Sequence, residues 1–297
     1  MASATDRLAG QSVPGPPPAR MPWTTMAWML ALLIVCYFPV LKHLVWQWSH
    51  DEDMGHGFFV PVIAGYIVWQ RRERLLAIAA KPNYWGLLLI AWGALQLIVG
   101  TLGSELFLQR SAFLFTLIGI ILTVCGTQIL LALAFPLFLL VFMIPIPSII
   151  YTQITFPLQL FASRVAETVL GLIGIPVLRD GNVLELASQK LSVVEACSGI
   201  RSLLSLTFLS LVYAYFFDNK PWMRAALFVA VIPIAILANA GRVTVTGILS
   251  EWNTALAQGF FHSVEGWIIF LVAMGLLIAA HRILNLIIGM AHGPRTA

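Results

Sequence analysis

Residues 85–103, WGLLLIAWGALQLIVGTLG, run for nineteen positions without a charged side chain. After the two-residue break Ser104-Glu105, residues 106–125, LFLQRSAFLFTLIGIILTVC, repeat the pattern with a single Arg. Each stretch has the length of a bilayer-spanning helix, which needs about 20 mostly apolar residues. Further apolar runs lie at about 22–41, 57–70, 129–147, 199–217, 223–241 and 264–286, which makes eight. The run 57–70 is short for a span, and is expected to tilt, to extend through Gly55 and His56, or to be supported by its neighbours. Composition agrees with this reading: 60% of the 297 residues are hydrophobic and 10% are charged, with a mean hydropathy of +0.90. Soluble domains carry about 25% charged residues. The chain therefore reads as an all-α polytopic membrane protein, a single domain over 21–290 with about eight transmembrane helices. Residues 1–20, with Ser12-Val-Pro-Gly-Pro-Pro-Pro18, read as a disordered cytoplasmic tail, and 291–297 as a second tail. No cleavable signal is expected before the first run.

The net charge of +4 is dispersed and forms no basic stripe, which argues against nucleic acid as a partner. Cys36, Cys125 and Cys197 are odd in number and far apart, so neither a disulfide framework nor a paired zinc pattern is present. Asp51, Asp53 and His56 match no ligand spacing, and His262 with Glu265 supplies half of a helical metal motif. Neither a metal nor another cofactor is expected.

Lys and Arg near span ends stay on the cytoplasmic side. Arg7 and Arg20 put the N-terminus inside. The loop at 42–56, with Asp51, Glu52 and Asp53, then falls outside, and the loop with Arg71, Arg72, Arg74 and Lys81 inside. Continued alternation places 148–198 outside, Asp218 to Arg224 inside, Gly241 to Ser263 outside and Arg282 to Arg295 inside, so both termini are cytoplasmic.

Cys197, Arg242 and His262 thereby come to one level, the outer membrane boundary. Cys197 stands where a polar segment becomes an apolar helix, and free N–H groups at a helix N-terminus stabilise a thiolate. Arg201, a turn onward, adds positive charge, and Glu195 is placed to pair with it. Arg242 follows Asn239-Ala-Gly241 at the outer end of the helix 223–241, and His262 opens the last span. Taken singly, each has a plainer reading: a small apolar filler, a snorkelling anchor and an interfacial imidazole. Together they supply nucleophile, oxyanion stabiliser and base for acyl transfer. Asn239 is placed to orient Arg242 or His262, with helix packing as its plainer role.

The segment 148–196 is long for a loop and is expected to be organised as an outer cap. Residues 154–174, with Arg164 and Glu167 in an apolar stretch, suggest an amphipathic helix. Residues 182–195 suggest a short hairpin around Ser188-Gln189-Lys190.

The blocks EACSGIRSLLSL (195–206), LANAGRVTVTGIL (237–249) and FFHSVEGW (260–267), with DMGHGFFVPVIAGYIVWQRRERL (53–75), resemble the exosortase/archaeosortase family, and the bacterial exosortases in particular. The resemblance implies a cysteine protease or transpeptidase with Cys197 as nucleophile and Arg242 and His262 as its partners. It implies a bacterial inner-membrane location with the active site at the periplasmic face. The implied substrates are exported proteins ending in a Pro-Glu-Pro-type motif, a membrane helix and a basic tail, and the pathway is linked to exopolysaccharide production. Some members carry a fused periplasmic domain; here such a partner is expected to be a separate protein. His56 lies in a resembling block without an assigned role. The rival class is a non-catalytic membrane scaffold or a transporter, for which polar residues near midspan would mark a path; few are present.

Overall fold

Pro39 apart, nothing between Trp23 and His50 interrupts a helix, and α1 takes in all 28 of these residues. The computed structural model describes the backbone of residues 22–193, 199–252 and 260–291; side chains at 52–53, 199–202, 252, 260–267 and 289–291 lie outside that description. After α1 a 3-10 segment, Glu52–Phe58, leads into α2 (Phe59–Gln70) and α3 (Arg72–Ala77). Then come α4 (Gly86–Leu102), α5 (Leu106–Cys125), α6 (Thr127–Ala132) and α7 (Ala134–Leu139) with a 3-10 turn at Leu140–Met143. The chain continues as α8 (Ser148–Leu172), strands β1 (Val177–Asp180), β2 (Val183–Leu186) and β3 (Lys190–Ser192), and helices α9 (Gly199–Phe217), α10 (Pro221–Trp252) and α11 (Phe260–Ala291).

Among the described residues four helices are long and apolar enough to cross a membrane: Trp23–His50, Leu106–Cys125, Pro221–Glu251 and Ile268–Ile288. A fifth span is counted if Ala134–Met143 and Ser148–Leu172, bent by 85°, are taken as one broken element. Two shorter apolar helices, Gly86–Leu102 and Leu203–Phe217, accompany them. The architecture is thus that of an all-α membrane protein, with a small three-stranded sheet among the described residues.

Three expectations from the sequence are corrected. The run 129–147 is not a single helix. Pro136 has no N–H to give the carbonyl of Ala132, and its ring crowds that carbonyl, so the helix breaks at Leu133 and restarts. Pro145 and Pro147 then hold the chain extended before α8. The loop expected at 42–56 is helical as far as His50, because Leu44 and Trp48 continue the buried face of α1. The helix expected to end at 241 runs on to Trp252: Val243, Thr246 and Ser250 keep its buried face going, and Gly241 does not take the positive φ of a helix stop.

The chain forms two compact units, Met1–Gln47 with Gly57–Ile144, and Trp48–His56 with Pro145–Ala297. The first is organised by α4 against α5. Gly86, Gly93 and Gly100 recur every seventh residue, two turns apart, and are the buried residues of α4. A Cβ at Gly86 or Gly93 would overlap Thr123 Oγ1 or Thr116 Oγ1, and one at Gly100 would press Gln109 Cγ at 3.0 Å. Lipid tails are as apolar as Leu, so burial alone does not hold two such helices together; close backbone approach along a glycine seam gains the contact instead. Tyr37 Oη of α1 joins this seam through Thr116 Oγ1 at 2.7 Å. Arg110, 4% exposed, directs Nη2 to Gln47 Oε1 at 2.6 Å and His43 Nδ1 at 3.1 Å. Gly126, with φ +88°, turns the chain after α5, and any side chain there would collide with the Lys81 carbonyl.

In the second unit α10 packs against α8, α9 and α11. Leu206 and Ala214 of α9, Met223, Leu227 and Val231 of α10, and Ala273 and Leu277 of α11 form one core. The strands make an antiparallel sheet in the order β1-β2-β3. Gly181, with φ +61°, takes the first place of the two-residue β1–β2 turn, which suits glycine in a type II′ hairpin. Leu184, Leu186, Leu191 and Val193 turn inward onto Ala162, Ala166 and Leu170 of α8 and Ala240 and Val243 of α10. The expected amphipathic helix and hairpin are therefore present, with one strand more than the sequence suggested.

Candidate functional site under the sheet

Arg242 lies 21 residues into α10 and is only 7% exposed. Its neighbours Ala240 and Val243 pack against the inner face of the sheet, so Arg242 stands in the stretch of α10 on which the sheet rests. Asn239, Arg242, Thr246 and Ser250 are all buried and stand at spacings of three and four, one polar stripe along the helix. Thr246 Oγ1 donates to the Arg242 carbonyl at 2.9 Å, and Ser250 Oγ to the Thr246 carbonyl at 2.7 Å, so the hydroxyls are satisfied locally. A guanidinium is costly to desolvate, and its burial keeps Arg242 as a functional candidate.

The sheet is fastened over this stretch at several points. Gln189 Nε2 donates to Ser250 Oγ at 2.8 Å, and Ser188 donates to Glu251 Oε1 from its backbone N–H at 3.2 Å and its hydroxyl at 2.8 Å. On the α8 side Asn182 Nδ2 donates to Gln159 Oε1 at 3.1 Å, and Ser163 Oγ to the Gly181 carbonyl at 3.0 Å. Glu167 accepts from Arg179 Nε of β1 at 2.7 Å. Opposite residues Glu185 and Lys190 are paired on the outer face of the hairpin, and that hydrogen bond holds the Lys190 ammonium above its ordinary pKa.

The other candidates are placed as follows. Arg201 is the third residue of α9 and His262 the third of α11, so both belong to first helical turns; their side chains lie outside the described residues. Cys197 and Glu195 lie outside the described residues altogether, between Val193 and Gly199. His56, half-buried in the 3-10 segment, has Nδ1 3.3 Å from Ser205 Oγ of α9 and its ring 6.3 Å from that of Phe208. It thus belongs beside α9, the helix that opens with Arg201. Asn239 shares the buried face of Arg242. The groove lined by Lys81, Asn83, Tyr84, Trp85, Thr127 and Gln128 lies in the first unit and contains none of these residues.

One cluster in the second unit had no signal in the sequence. Asp218, after α9, accepts from the Lys220 backbone N–H at 2.7 Å, and its Oδ2 lies 3.1 Å from His281 Nε2. His281 Nδ1 is 2.9 Å from the Tyr213 hydroxyl. Arg224 donates to the carbonyls of Asp218 at 2.8 Å and Tyr215 at 3.3 Å, filling acceptors left open where α9 ends. Asp218 and His281 are 63 positions apart, and only the packing of α9 and α10 with α11 brings them together. At 1.5 Å per residue, Arg242 is about 30 Å along α10 from its start beside this cluster, the thickness of a hydrocarbon core.

These features define a helical membrane protein with a buried arginine on the helix that carries a small sheet. The family model of transmembrane exosortases matches residues 48–279, which includes the Cys197, Arg242 and His262 blocks. The chain belongs to the transmembrane exosortase family. No curated protein and no solved structure matches it.

Proposed function

We propose that the chain is a cysteine protease or transpeptidase of the bacterial inner membrane that cleaves C-terminal Pro-Glu-Pro-type sorting signals of exported proteins at the periplasmic face. The observation that carries this reading is the family match over 48–279, together with the burial of Arg242 in the stretch of α10 on which the sheet packs. His262 takes the Cys197 proton, and the thiolate attacks the scissile carbonyl, forming the C–S bond and a tetrahedral oxyanion. Arg242 stabilises that oxyanion. Collapse breaks the C–N bond, His262 returns the proton to the leaving amine, and a thioester remains. Water or an amine nucleophile then attacks the thioester, loses a proton, and releases Cys197. Arg201 contributes positive charge to the thiolate, with Glu195 as its partner, and Asn239 orients Arg242 or His262. The alternation of basic and acidic loops, with both termini inside, puts the site at the periplasmic face. The substrate's basic tail stays inside and its motif emerges at that level. Its partners are such membrane-inserted substrates, the lipid bilayer and a separate periplasmic protein of the exopolysaccharide system.

The test is processing of a reporter ending in the motif, a membrane helix and a basic tail, co-expressed with the wild-type chain or with Cys197→Ala, Arg242→Ala or His262→Ala at equal membrane levels. The expected result is a shortened product with the wild type and none with Cys197→Ala. Arg242→Ala is expected to lower the rate about 100- to 1000-fold, the loss of an oxyanion donor. Undiminished processing by Cys197→Ala overturns the nucleophile and favours a non-catalytic scaffold or transporter.

A further inference from the structure

Antiparallel ladders alternate hydrogen-bonded and open pairs. In the β2–β3 hairpin the Leu186 N–H bonds the Gln189 carbonyl and the Val193 N–H bonds the Asn182 carbonyl, each at 2.9 Å. These pairs bracket Leu184↔Leu191, so residues 189, 191 and 193 spend their backbone groups on β2. The N–H and C=O groups of Lys190 and Ser192 point the other way, along the open edge. Among the described residues β3 pairs with β2 and no other strand, whereas α8 flanks the opposite side of the sheet at β1. The open edge is held in place by the Gln189 and Ser188 bonds to Ser250 and Glu251 and by the buried Leu191 and Val193. Along the chain Ser192 is five residues before Cys197, which bounds their separation at about 18 Å.

We propose that the outer edge of β3 is the docking rail for the substrate polypeptide, whose extended segment adds as a fourth strand by pairing with the backbone groups of Lys190 and Ser192. The occupant is an extended peptide because the rail offers only backbone donors and acceptors at every second residue, a pattern that another strand matches. Continuity of β3 with the Cys197 block, and the seat of the sheet on α10 at Ala240 and Val243, deliver that strand to the acyl-transfer centre. The inference rests on the function proposed above.

The test uses the full chain in membranes and the same reporter. Ser192→Pro deletes an outward N–H and leaves the inward ladder whole, because proline is tolerated where a strand's N–H faces away from the sheet. It is expected to raise KM about fivefold, the effect of one lost hydrogen bond, with kcat and the rate of Cys197 alkylation by iodoacetamide unchanged. An unchanged KM overturns the rail. Should Ser192→Pro fail to accumulate, the wild-type chain is given synthetic peptides of the reporter's motif segment, each N-methylated at one successive residue. Strand addition predicts losses of affinity at alternate positions, and equal affinity for all of them overturns it. Processing by Cys197→Ala, or none by the wild type, removes the function itself and is thereby told apart from failure of the rail.

Discussion

Asp218 is 8% exposed, and its carboxylate is held by the Lys220 N–H and by His281. Burial pushes this carboxyl's pKa up. The Lys220 N–H, the His281 hydrogen bond and the charges of His281 and Lys220 together outweigh burial and hold the pKa below the ordinary 3.8. Because the folded value lies below the unfolded one, the carboxylate adds stability above about pH 4, and this is lost as pH falls through the folded value. Asp218→Asn is therefore expected to lower the melting temperature in detergent by several degrees at pH 7. The gap from wild type should shrink toward pH 3; a gap that does not change with pH would sever Asp218 ionisation from stability. At the same scale Glu167, expected on an amphipathic helix, pairs with Arg179 of β1 and thereby ties α8 to the sheet.

At the scale of elements the α4–α5 seam makes the sharpest demand. A methyl group at Gly93 has no room beside Thr116, and neither backbone can withdraw without opening the seam. Gly93→Ala is expected to destabilise the protein by about 1–3 kcal/mol, the usual penalty for overpacking. Gly65 of α2 has nothing within 4 Å of its missing Cβ, so Gly65→Ala is expected to be neutral or mildly stabilising. Thermal unfolding of the two variants side by side checks the pair. Equal losses would show that helix propensity, not the seam, governs both. The break at Leu133 belongs to this scale as well, since Pro136 acts on the turn before it and divides an apolar run that hydropathy reads as continuous.

For the whole molecule, the basic loops predict one orientation. Reporter fusions after Arg74 and after Lys220 are expected to be cytoplasmic, and a fusion at the Gly181 turn periplasmic; a cytoplasmic reporter at Gly181 would invert the site. Much of this was legible in the sequence. The apolar runs behind α2, α4, α5 and α9 match their helices within a residue or two, because the run, the Gly or Pro at its end and the polar break all act locally. The Cys, Arg and His blocks were legible too, since they are short contiguous motifs, and the family match spans all three. The sequence by itself determined the membrane class, most of the helices and the candidate residues. Only the tertiary structure decided that α10 continues past Arg242, that the sheet settles on Ala240 and Val243 around it, and that Asp218 meets His281. The physical reason is one of range: hydropathy and turn chemistry act over a few residues, whereas burial of a guanidinium or pairing of a carboxylate depends on which helix packs alongside.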